Sequence, residues 1–308
     1  MLRNLKGEIF LILGAICFAF NGVVAKVVLA EGMSPWRLTQ ARSGGTFIIL
    51  IIFFLLFNRS ALPAKKGEVK WLIAFGFVGV ILVQALYFVA ISRIYLGTAL
   101  LIEFTAPIWI LLFLRFVLKK QVDKLLWLAL ALSFSGLVVV AQAWKGLTLD
   151  GIGLIAAFFD SIALAAYFLL AEKIGKTRSS AAMMVWGFAV GTLVMAIFLP
   201  LWDYPTQYLT MQMQLPGVLS PFSLPGWVLV LWVIVMGTLV PYLFVIGGLR
   251  ILSASTASVI GILEPVLASL FAWWLLSEAL NNIQVAGAIV VVVGIYLANR
   301  ARDKSPHI

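Results

Sequence analysis

The chain contains 308 residues, of which 63% are hydrophobic and only 11% are charged. Soluble domains usually carry about 25% charged residues, and a water-soluble chain of this size cannot bury so much apolar surface. The composition therefore excludes an ordinary soluble enzyme, a disordered chain and a disulfide-stabilised secreted domain, and it predicts a protein with many membrane-spanning segments.

Ten apolar runs, taken in chain order, are long enough to span a membrane, since a spanning helix needs about 20 apolar residues. The predicted spans are 8–28, 41–57, 70–91, 96–118, 124–142, 151–171, 182–201, 226–248, 254–276 and 281–299. These runs are too long and too uniform for transmembrane β-strands, which alternate over about 10 residues. The first span is predicted to be a retained anchor, because its apolar stretch is too long for a cleaved signal peptide.

The charges of the loops predict the orientation of the spans. With the N-terminus in the cytoplasm, the cytoplasmic segments carry 17 lysines and arginines, and the opposite side carries Arg37, Arg93 and Lys145. Such an excess is typical of cytoplasmic loops. The sequence therefore predicts a multi-pass protein of the cell (inner) membrane with both termini in the cytoplasm. The net charge of +10 is attributed to these loops, and no nucleic-acid partner is expected.

The chain repeats itself. A shift of 146 residues overlays the first two spans on the sixth and seventh, and a shift of 158 residues overlays the third to fifth on the eighth to tenth. Gly79 then meets Gly237, and Pro107 meets Pro265. We predict two five-helix repeats over 7–142 and 149–299, with a longer loop inserted at 202–225. Because each repeat has an odd number of spans, the second is inverted relative to the first, as in many transporters.

Three acidic residues, Glu103, Asp160 and Glu264, lie deep in the predicted spans. An ionised side chain at the bilayer centre costs about 2.5–3.5 kcal/mol on insertion scales, so such residues normally face a cavity or a partner. One interpretation is a substrate-binding or proton-coupling site. The alternative is a protonated acid that caps a neighbouring helix or pairs with a base inside the bundle. Tyr87 and Trp186 are candidate aromatic lining residues, with core packing as the alternative.

Two basic residues, Lys26 and Arg42, are candidate counter-charges for these acids. Both lie near the ends of their spans, so snorkelling explains either one, and for Arg42 we expect snorkelling or loop packing. Lys26 remains a candidate substrate ligand because Asn21 lies deeper in the same span. Asn21 matches Tyr167 in the repeat, and Tyr167 shares a helix face with Asp160 because seven residues separate them.

Prolines accompany two of the acids. Pro107 lies four residues after Glu103 and removes the helical hydrogen bond to the Glu103 carbonyl, and Pro265 directly follows Glu264. We expect both prolines to kink cavity-lining helices and to serve as hinges or gates, although proline kinks also serve packing alone.

Cysteine and histidine are nearly missing from the sequence. The single Cys17 excludes an internal disulfide, and the single His307 excludes HExxH zinc sites and Ser-His-Asp triads. We therefore expect no metal and no other cofactor. An intramembrane diacid protease is disfavoured as well, because it needs two cooperating aspartates and only Asp160 is buried.

The chain resembles the EamA-type branch of the drug/metabolite transporter superfamily in two stretches. They are Gly261-Ile-Leu-Glu-Pro-Val-Leu-Ala-Ser-Leu-Phe-Ala-Trp-Trp-Leu-Leu-Ser-Glu278 and its first-repeat counterpart, Leu101-Ile-Glu-Phe-Thr-Ala-Pro107. The resemblance extends from about Gly7 to Asn299. It implies ten helices in two inverted repeats, a cavity built mainly from spans 1, 3, 4, 6, 8 and 9, and spans 5 and 10 at the periphery.

The resemblance also has a departure and a functional implication. Where the family's fourth span usually ends with a small residue and a glutamate, this chain has Lys119-Lys120-Gln121, so only Glu278 matches that glutamate. The family contains many exporters of amino acids and other small metabolites. The chain is accordingly predicted to be a secondary active transporter that exports amino acids or amphipathic compounds by alternating access, with protons as a candidate coupling ion.

Other functions are weighed against this prediction. The sequence contains no GxxxxGK[ST] motif, which argues against an ATP-driven pump. A membrane channel and a structural or interaction protein of the membrane stay open as alternatives, whereas an enzyme is not expected. The substrate, the direction of transport, its coupling and the oligomeric state are left open by the sequence.

Overall fold

The computed structural model describes residues 2–143, 150–276 and 282–301, and these residues form an all-α membrane protein. Each predicted span corresponds to one of ten long helices, which we number α1 to α10. They are α1 Leu2–Ala30, α2 Pro35–Phe57, α3 Val69–Arg93, α4 Leu96–Val117, α5 Lys124–Val140, α6 Gly151–Gly175, α7 Ser180–Phe198, α8 Gly226–Leu249, α9 Ala254–Leu275 and α10 Asn282–Ala301. Within the described residues, nine are long and apolar enough to cross a membrane, and α5 is an apolar helix of 17 residues.

The side chains on the outside of the bundle are apolar, whereas the polar ones point inward. Large residues such as Phe57, Leu193 and Phe198 are more than half exposed. By contrast, Asn21 and Gln84 are almost completely buried. This distribution is expected where lipid rather than water surrounds the protein, because lipid solvates apolar side chains and leaves polar ones unsatisfied.

The helices pack as two inverted five-helix repeats. α1 contacts α8 and α9, and the corresponding helix of the second half, α6, contacts α3 and α4. α2 packs on α7, and α5 packs on α10. Every major contact between the halves therefore has a counterpart with the roles exchanged. With five spans in each half, α6 crosses the membrane in the direction opposite to α1.

Irregular helix segments occur at equivalent places in the two halves. α3 and α8 each contain a π-helical segment, Gly76–Leu82 and Val235–Leu239. The α-helical geometry of α4 is interrupted at Phe104–Thr105, and that of α9 at Ile262. Pro107 and Pro265 follow these interruptions by three residues or fewer, and each lacks the amide hydrogen that would continue the helical ladder. π-helical segments often mark functional sites in helices.

The peripheral pair α5 and α10 approaches through glycines. A Cβ atom placed on Gly136 would lie 2.7 Å from the Gly287 carbonyl oxygen, and one placed on Gly287 would lie 2.9 Å from the Gly136 carbonyl oxygen. Small residues allow helix backbones to come close in membranes, where van der Waals contact rather than hydrophobic collapse drives association. This pair lies outside the cavity described below.

The loop between α7 and α8 closes one end of the bundle. It contains the antiparallel strands β1 Gln212–Gln214 and β2 Ser223–Pro225, with Met213 opposite Leu224. Tyr208 lies beside the ends of two helices, and its hydroxyl donates to the Gly32 carbonyl at 3.0 Å. We call this end the loop face. The other end, where α2, α4, α6 and α8 finish and basic loops cluster, is the basic face.

Candidate functional site

A central cavity lies between the two halves. Its wall is formed by seven helices, namely α1, α2, α3, α4, α6, α8 and α9. Cavities with mostly apolar walls and a few polar groups are typical binding sites for small molecules. The resemblance implied six of these helices. The additional helix, α2, contributes Arg42.

The cavity extends further towards the basic face than towards the loop face. α1 lines it from Leu11 to Asn21, whereas α6 lines it only from Leu164 to Phe168. With the repeat shift of 146 residues, the α6 equivalent of Leu11 is Ala157, more than one turn before the lining begins. α9 and α4 show the same asymmetry. The lining of α9 begins at Ala257, before the interruption at Ile262, whereas the lining of α4 begins at Glu103, directly before the interruption at Phe104–Thr105.

Three charged residues line this cavity: Arg42, Glu103 and Glu264. Arg42 is 4% exposed, and it lies within electrostatic range of both glutamates. Its Nε donates to Thr238 Oγ1 at 2.5 Å, and its Nη2 donates to the Gly237 carbonyl at 2.7 Å. The expectation that Arg42 snorkels or packs in a loop is wrong. The π-helical segment of α8 supplies buried acceptors, and these hold the guanidinium inside the bundle.

Glycines at equivalent positions of the two π-helical segments leave room for a side chain of the opposite half. A Cβ atom on Gly237 would lie 1.8 Å from Asn21 Oδ1, and one on Gly79 would lie 2.6 Å from Tyr167 Cδ2. Asn21 and Tyr167 are equivalent in the repeat, as are the two glycines. The carbonyls of both glycines also accept hydrogen bonds from cavity side chains, since Tyr242 donates to Gly79 at 2.9 Å just as Arg42 donates to Gly237.

Several polar atoms of the cavity wall have no protein partner among the described residues. These buried atoms are Asn21 Oδ1, Gln84 Oε1, Glu103 Oε2 and the Tyr167 hydroxyl. Leaving such an atom unsatisfied costs about 1–3 kcal/mol, so a native site that keeps four of them is built to receive a ligand or water. All four belong to residues that line one cavity.

Aromatic rings form much of the remaining wall. Phe18 and Tyr167 each contact Tyr242 with ring centroids 5.5 Å and 5.6 Å apart. Phe104, Phe168 and Tyr87 complete the aromatic surface. Such rings bury an apolar group and attract a cation to their faces. The wall therefore combines an apolar surface with a small number of charged groups.

The structure separates the predicted site residues into two groups. Five of them line the cavity: Asn21, Tyr87, Glu103, Tyr167 and Glu264. The other predicted residues are not among the lining residues: Lys26, Asp160, Trp186, Pro107 and Pro265. Trp186 instead donates from Nε1 to the Leu62 carbonyl at 2.8 Å near the basic face. Glu278 lies outside the described residues.

Sequence reasoning did not name Gln84 or Tyr242, and for Arg42 it favoured snorkelling or loop packing over a place in the cavity wall. Gln84 Nε2 donates to the Tyr242 hydroxyl at 3.1 Å, and both residues line the cavity. The repeat contained the necessary signal, because the shift of 158 residues places Gln84 on Tyr242. A polar residue at the same point of both halves, inside apolar helices, indicates a shared internal surface.

Ion pairs connect the two halves at both ends of the bundle. At the basic face, Arg178 Nε lies 3.0 Å from Glu68 Oε2, and at the loop face Arg37 Nη2 lies 3.0 Å from Asp203 Oδ2. Partial burial alone would raise the pKa of Glu68, but hydrogen bonds from Arg178 and Thr177 outweigh it and hold this pKa below its ordinary value. In the loop, burial raises the pKa of Tyr204 to about 12, with Arg37 acting in the opposite direction.

Metal binding finds no support in the part of the chain that is described. No three His, Cys, Asp or Glu side chains there lie close enough together to hold a metal ion. The polar groups of the cavity suit an organic ligand instead, because they combine a guanidinium, two carboxyls, two amides and phenol hydroxyls with aromatic rings.

A model of the EamA-like transporter family matches this chain twice, over residues 5–142 and 151–300. Among solved structures, one crystal structure superposes with a TM-score of 0.69 at 16% sequence identity, covering 96% of this chain and 98% of that chain. At this identity the superposition bears on the fold alone.

Curated proteins give similar matches over most of their length. A protein of Clostridium kluyveri named uncharacterized transporter is 21% identical over 94% of this chain and 91% of its own. The uncharacterized transporter YdfC of Bacillus subtilis is 24% identical over 92% and 87%. The uncharacterized transporter sll1319 of Synechocystis is 25% identical over 96% and 94%.

Proposed function

The chain belongs to the EamA-like transporter family and is a multi-pass membrane transporter, and from this premise we propose that it exports a small amphipathic metabolite with an amine group. Transport would be secondary and would proceed by alternating access. The observation that carries the proposal is the cavity between the inverted halves, where Arg42, Glu103 and Glu264 meet an aromatic wall.

The chemistry of the wall favours a zwitterion with an apolar side group. The carboxyls of Glu103 and Glu264 suit an ammonium group, and Arg42 suits a carboxylate because Nη1 makes no hydrogen bond within the described chain. Asn21, Gln84 and Tyr167 offer the unsatisfied atoms that would orient the ligand. Lys26, which the sequence proposed for the carboxylate, is not needed because Arg42 is already in the cavity.

The fold supports alternating access. Two inverted halves can exchange conformations, and the exchange moves the opening of a central site from one membrane face to the other. The interruptions at Phe104–Thr105 and Ile262 lie in lining helices, where a change of helix direction needs few broken hydrogen bonds. We propose that the basic face is cytoplasmic, that both termini lie there, and that the protein resides in the cell (inner) membrane.

The test uses purified protein in liposomes and three matched probes. L-phenylalanine carries both charged groups, phenethylamine lacks the carboxylate, and 3-phenylpropionate lacks the amine. We expect saturable counterflow of L-phenylalanine, weaker transport of phenethylamine and none of 3-phenylpropionate. Glu103→Gln and Glu264→Gln should each reduce the rate at least about tenfold, equivalent to about 1.4 kcal/mol of transition-state or binding energy.

Glu31→Gln is the matched control, because it removes an acid that does not line the cavity. It should transport like the wild-type protein. Flux without saturation or counterflow would identify a channel instead. Unchanged transport in both cavity variants would show that the two glutamates are not the site.

A further inference from the structure

One buried carboxyl is not part of the cavity wall. Asp160, in the middle of α6, is 1% exposed, and neither of its carboxyl oxygens has a hydrogen-bond partner among the described residues. The adjacent hydroxyl of Ser161 is already engaged, since it donates to the Phe158 carbonyl and accepts from Trp109 Nε1. Asp160 is therefore a polar group without a structural use in this conformation.

Within the described part of the chain, the groups that act electrostatically on Asp160 include no cation. α6 packs against α3, α4, α7, α8 and α9. The groups within electrostatic range are the carboxyls of Glu103 and Glu264 and the hydroxyls of Tyr87 and Tyr242. α7 has no titratable side chain, and on α6 itself the nearest are Tyr167 and, further on, Glu172 and Lys173. Arg42 acts on the two glutamates rather than on Asp160.

A carboxylate in such surroundings would be a buried charge without compensation, so Asp160 holds a proton in this conformation. Glu172 on the same helix shows the contrast. It is also buried, but its Oε2 accepts from the Ala254 amide at 2.7 Å, where it stabilises the start of α9. One acid of α6 thus has a structural role, and the other has none.

The repeat shows how Asp160 exchanges its proton. Its equivalent in α1 is Gly14, and the residues that flank Gly14, Leu11 and Ala15, line the cavity. The flanking residues of Asp160 are their equivalents, Ala157 and Ser161, which do not line it. When the inverted halves exchange conformations, the cavity should extend along α6 instead of α1 and bring water to Asp160 from the loop face.

Only one half carries this acid. A Cβ atom placed on Gly14 would lie 2.6 Å from Val245 Cγ2, so the first half has no room for a carboxyl there. A single titratable group that is sealed in one conformation and hydrated in the other makes the conversion between the two conformations depend on its proton, because a carboxylate cannot be sealed without compensation. Asp160 differs in this respect from Glu103 and Glu264, which line the cavity together with Arg42.

We propose that Asp160 must bind a proton before the conformation open to the loop face can convert to the present one, an inference that rests on the proposed transporter function. In the conformation open to the loop face, Asp160 exchanges its proton with water there. Conversion to the present conformation seals the neutral acid, which keeps its proton until the cavity opens to the loop face again.

The first experiment needs no substrate. Infrared spectra of wild-type protein and Asp160→Asn in liposomes at neutral pH are subtracted from each other. We expect the difference to contain the carbonyl band of a neutral carboxylic acid in the wild type. A difference that contains only carboxylate bands would overturn the proposal.

The second experiment tests whether this proton controls the conversion. L-phenylalanine counterflow is measured at acidic, neutral and alkaline pH, with equal pH on both sides of the membrane. The wild-type rate should fall at least about tenfold from acidic to alkaline pH relative to that of Asp160→Asn, because asparagine is neutral at every pH. Glu172→Gln is the matched control, because glutamine retains an oxygen for the Ala254 amide, and it should keep the wild-type pH dependence.

The outcomes distinguish this inference from the proposed function. The same pH dependence of counterflow in Asp160→Asn and in the wild type would overturn the role of Asp160. A wild type without counterflow of any of the three probes would instead contradict the proposed function, and the infrared result would still decide the protonation of Asp160.

Discussion

The two halves of this protein have the same backbone irregularities at equivalent positions, but they differ in the side chains that line the cavity. Both contain a π-helical segment in the third helix and an interruption in the fourth. Yet Asn21 corresponds to Tyr167, and Gln84 corresponds to Tyr242. In the proposed mechanism, the duplicated backbone would supply two interchangeable conformations, and the unequal side chains would allow one asymmetric ligand to bind in one orientation.

At the two ends of the bundle, too, equivalent positions carry different side chains. The ion pair Glu68–Arg178 at the basic face has glycines, Gly226 and Gly32, as its repeat equivalents at the loop face. Tyr208 of the inserted loop lies against both of these glycines. At the positions equivalent to Glu68 and Arg178, the loop face therefore has contacts between Tyr208 and two glycines instead of a salt bridge.

The largest expected effect concerns Arg42, for which the second half has Phe188 at the equivalent position. Arg42→Gln removes two buried hydrogen bonds from a charged donor, and it should lower the free energy of unfolding by about 3 kcal/mol. It should also abolish the preference for L-phenylalanine over phenethylamine. Thermal unfolding and counterflow measure the two effects.

Arg93→Gln provides the comparison for this variant, because Arg93 is half exposed and lies 3.4 Å from Asp150. A change below about 1 kcal/mol is expected there, as for other surface ion pairs. Equal losses of the free energy of unfolding in the two variants would show that the burial of Arg42 does not increase its contribution to stability.

The next largest effect is expected at the two glycines that leave room for Asn21 and Tyr167. Gly237→Ala and Gly79→Ala should each destabilise the protein by about 1–3 kcal/mol, because the new methyl group overlaps Asn21 or Tyr167. Adding Asn21→Ala should rescue the first variant and leave the second unchanged. Gly97→Ala, with no atom within 4 Å of the added Cβ, should instead stabilise its helix by about 0.5–1 kcal/mol. Thermal unfolding in one detergent compares all five variants with the wild type.

A smaller effect is expected where the halves meet at equivalent residues. Because Gln84 and Tyr242 correspond in the repeat and bond to each other, they lie beside the pseudo-two-fold axis. A double-mutant cycle with Gln84→Met and Tyr242→Phe should give a coupling energy of about 0.5–1.5 kcal/mol. Additive effects of the two substitutions would mean that this hydrogen bond does not contribute to stability.

The smallest expected effect is a pH dependence of stability that arises from Glu68 at the basic face. Because the pKa of Glu68 is lower in the folded protein than in the unfolded chain, its contribution to stability is fully present above the ordinary pKa of 4.5 and is lost as the pH falls through the folded value. Wild-type stability should therefore decline more steeply than that of Glu68→Gln in this acidic range. Thermal unfolding between neutral pH and pH of about 3 measures the difference, and parallel curves would contradict it.

The sequence by itself determined the architecture. Hydropathy over about 20 residues defines a membrane span, and an odd number of spans per repeat requires inversion. Pro107 and Pro265 indicated where α4 and α9 are interrupted, because a proline cannot continue the backbone ladder. The cost of burying Glu103 and Glu264 likewise indicated two residues that line the central cavity. These properties are local to each segment and do not depend on how the helices pack.

Only the tertiary structure decided which polar residues meet. Arg42 was expected to snorkel, but the π-helical segment of α8 offers it acceptors that no pattern within α2 reveals. Asp160 and Tyr167 were expected to share a surface, yet only Tyr167 reaches the cavity, because the lining of α6 begins at Leu164. Hydropathy indicates that a helix crosses the membrane. The rotation and depth of that helix follow from its contacts with neighbouring helices. Rotation and depth together decide which of its side chains face the cavity.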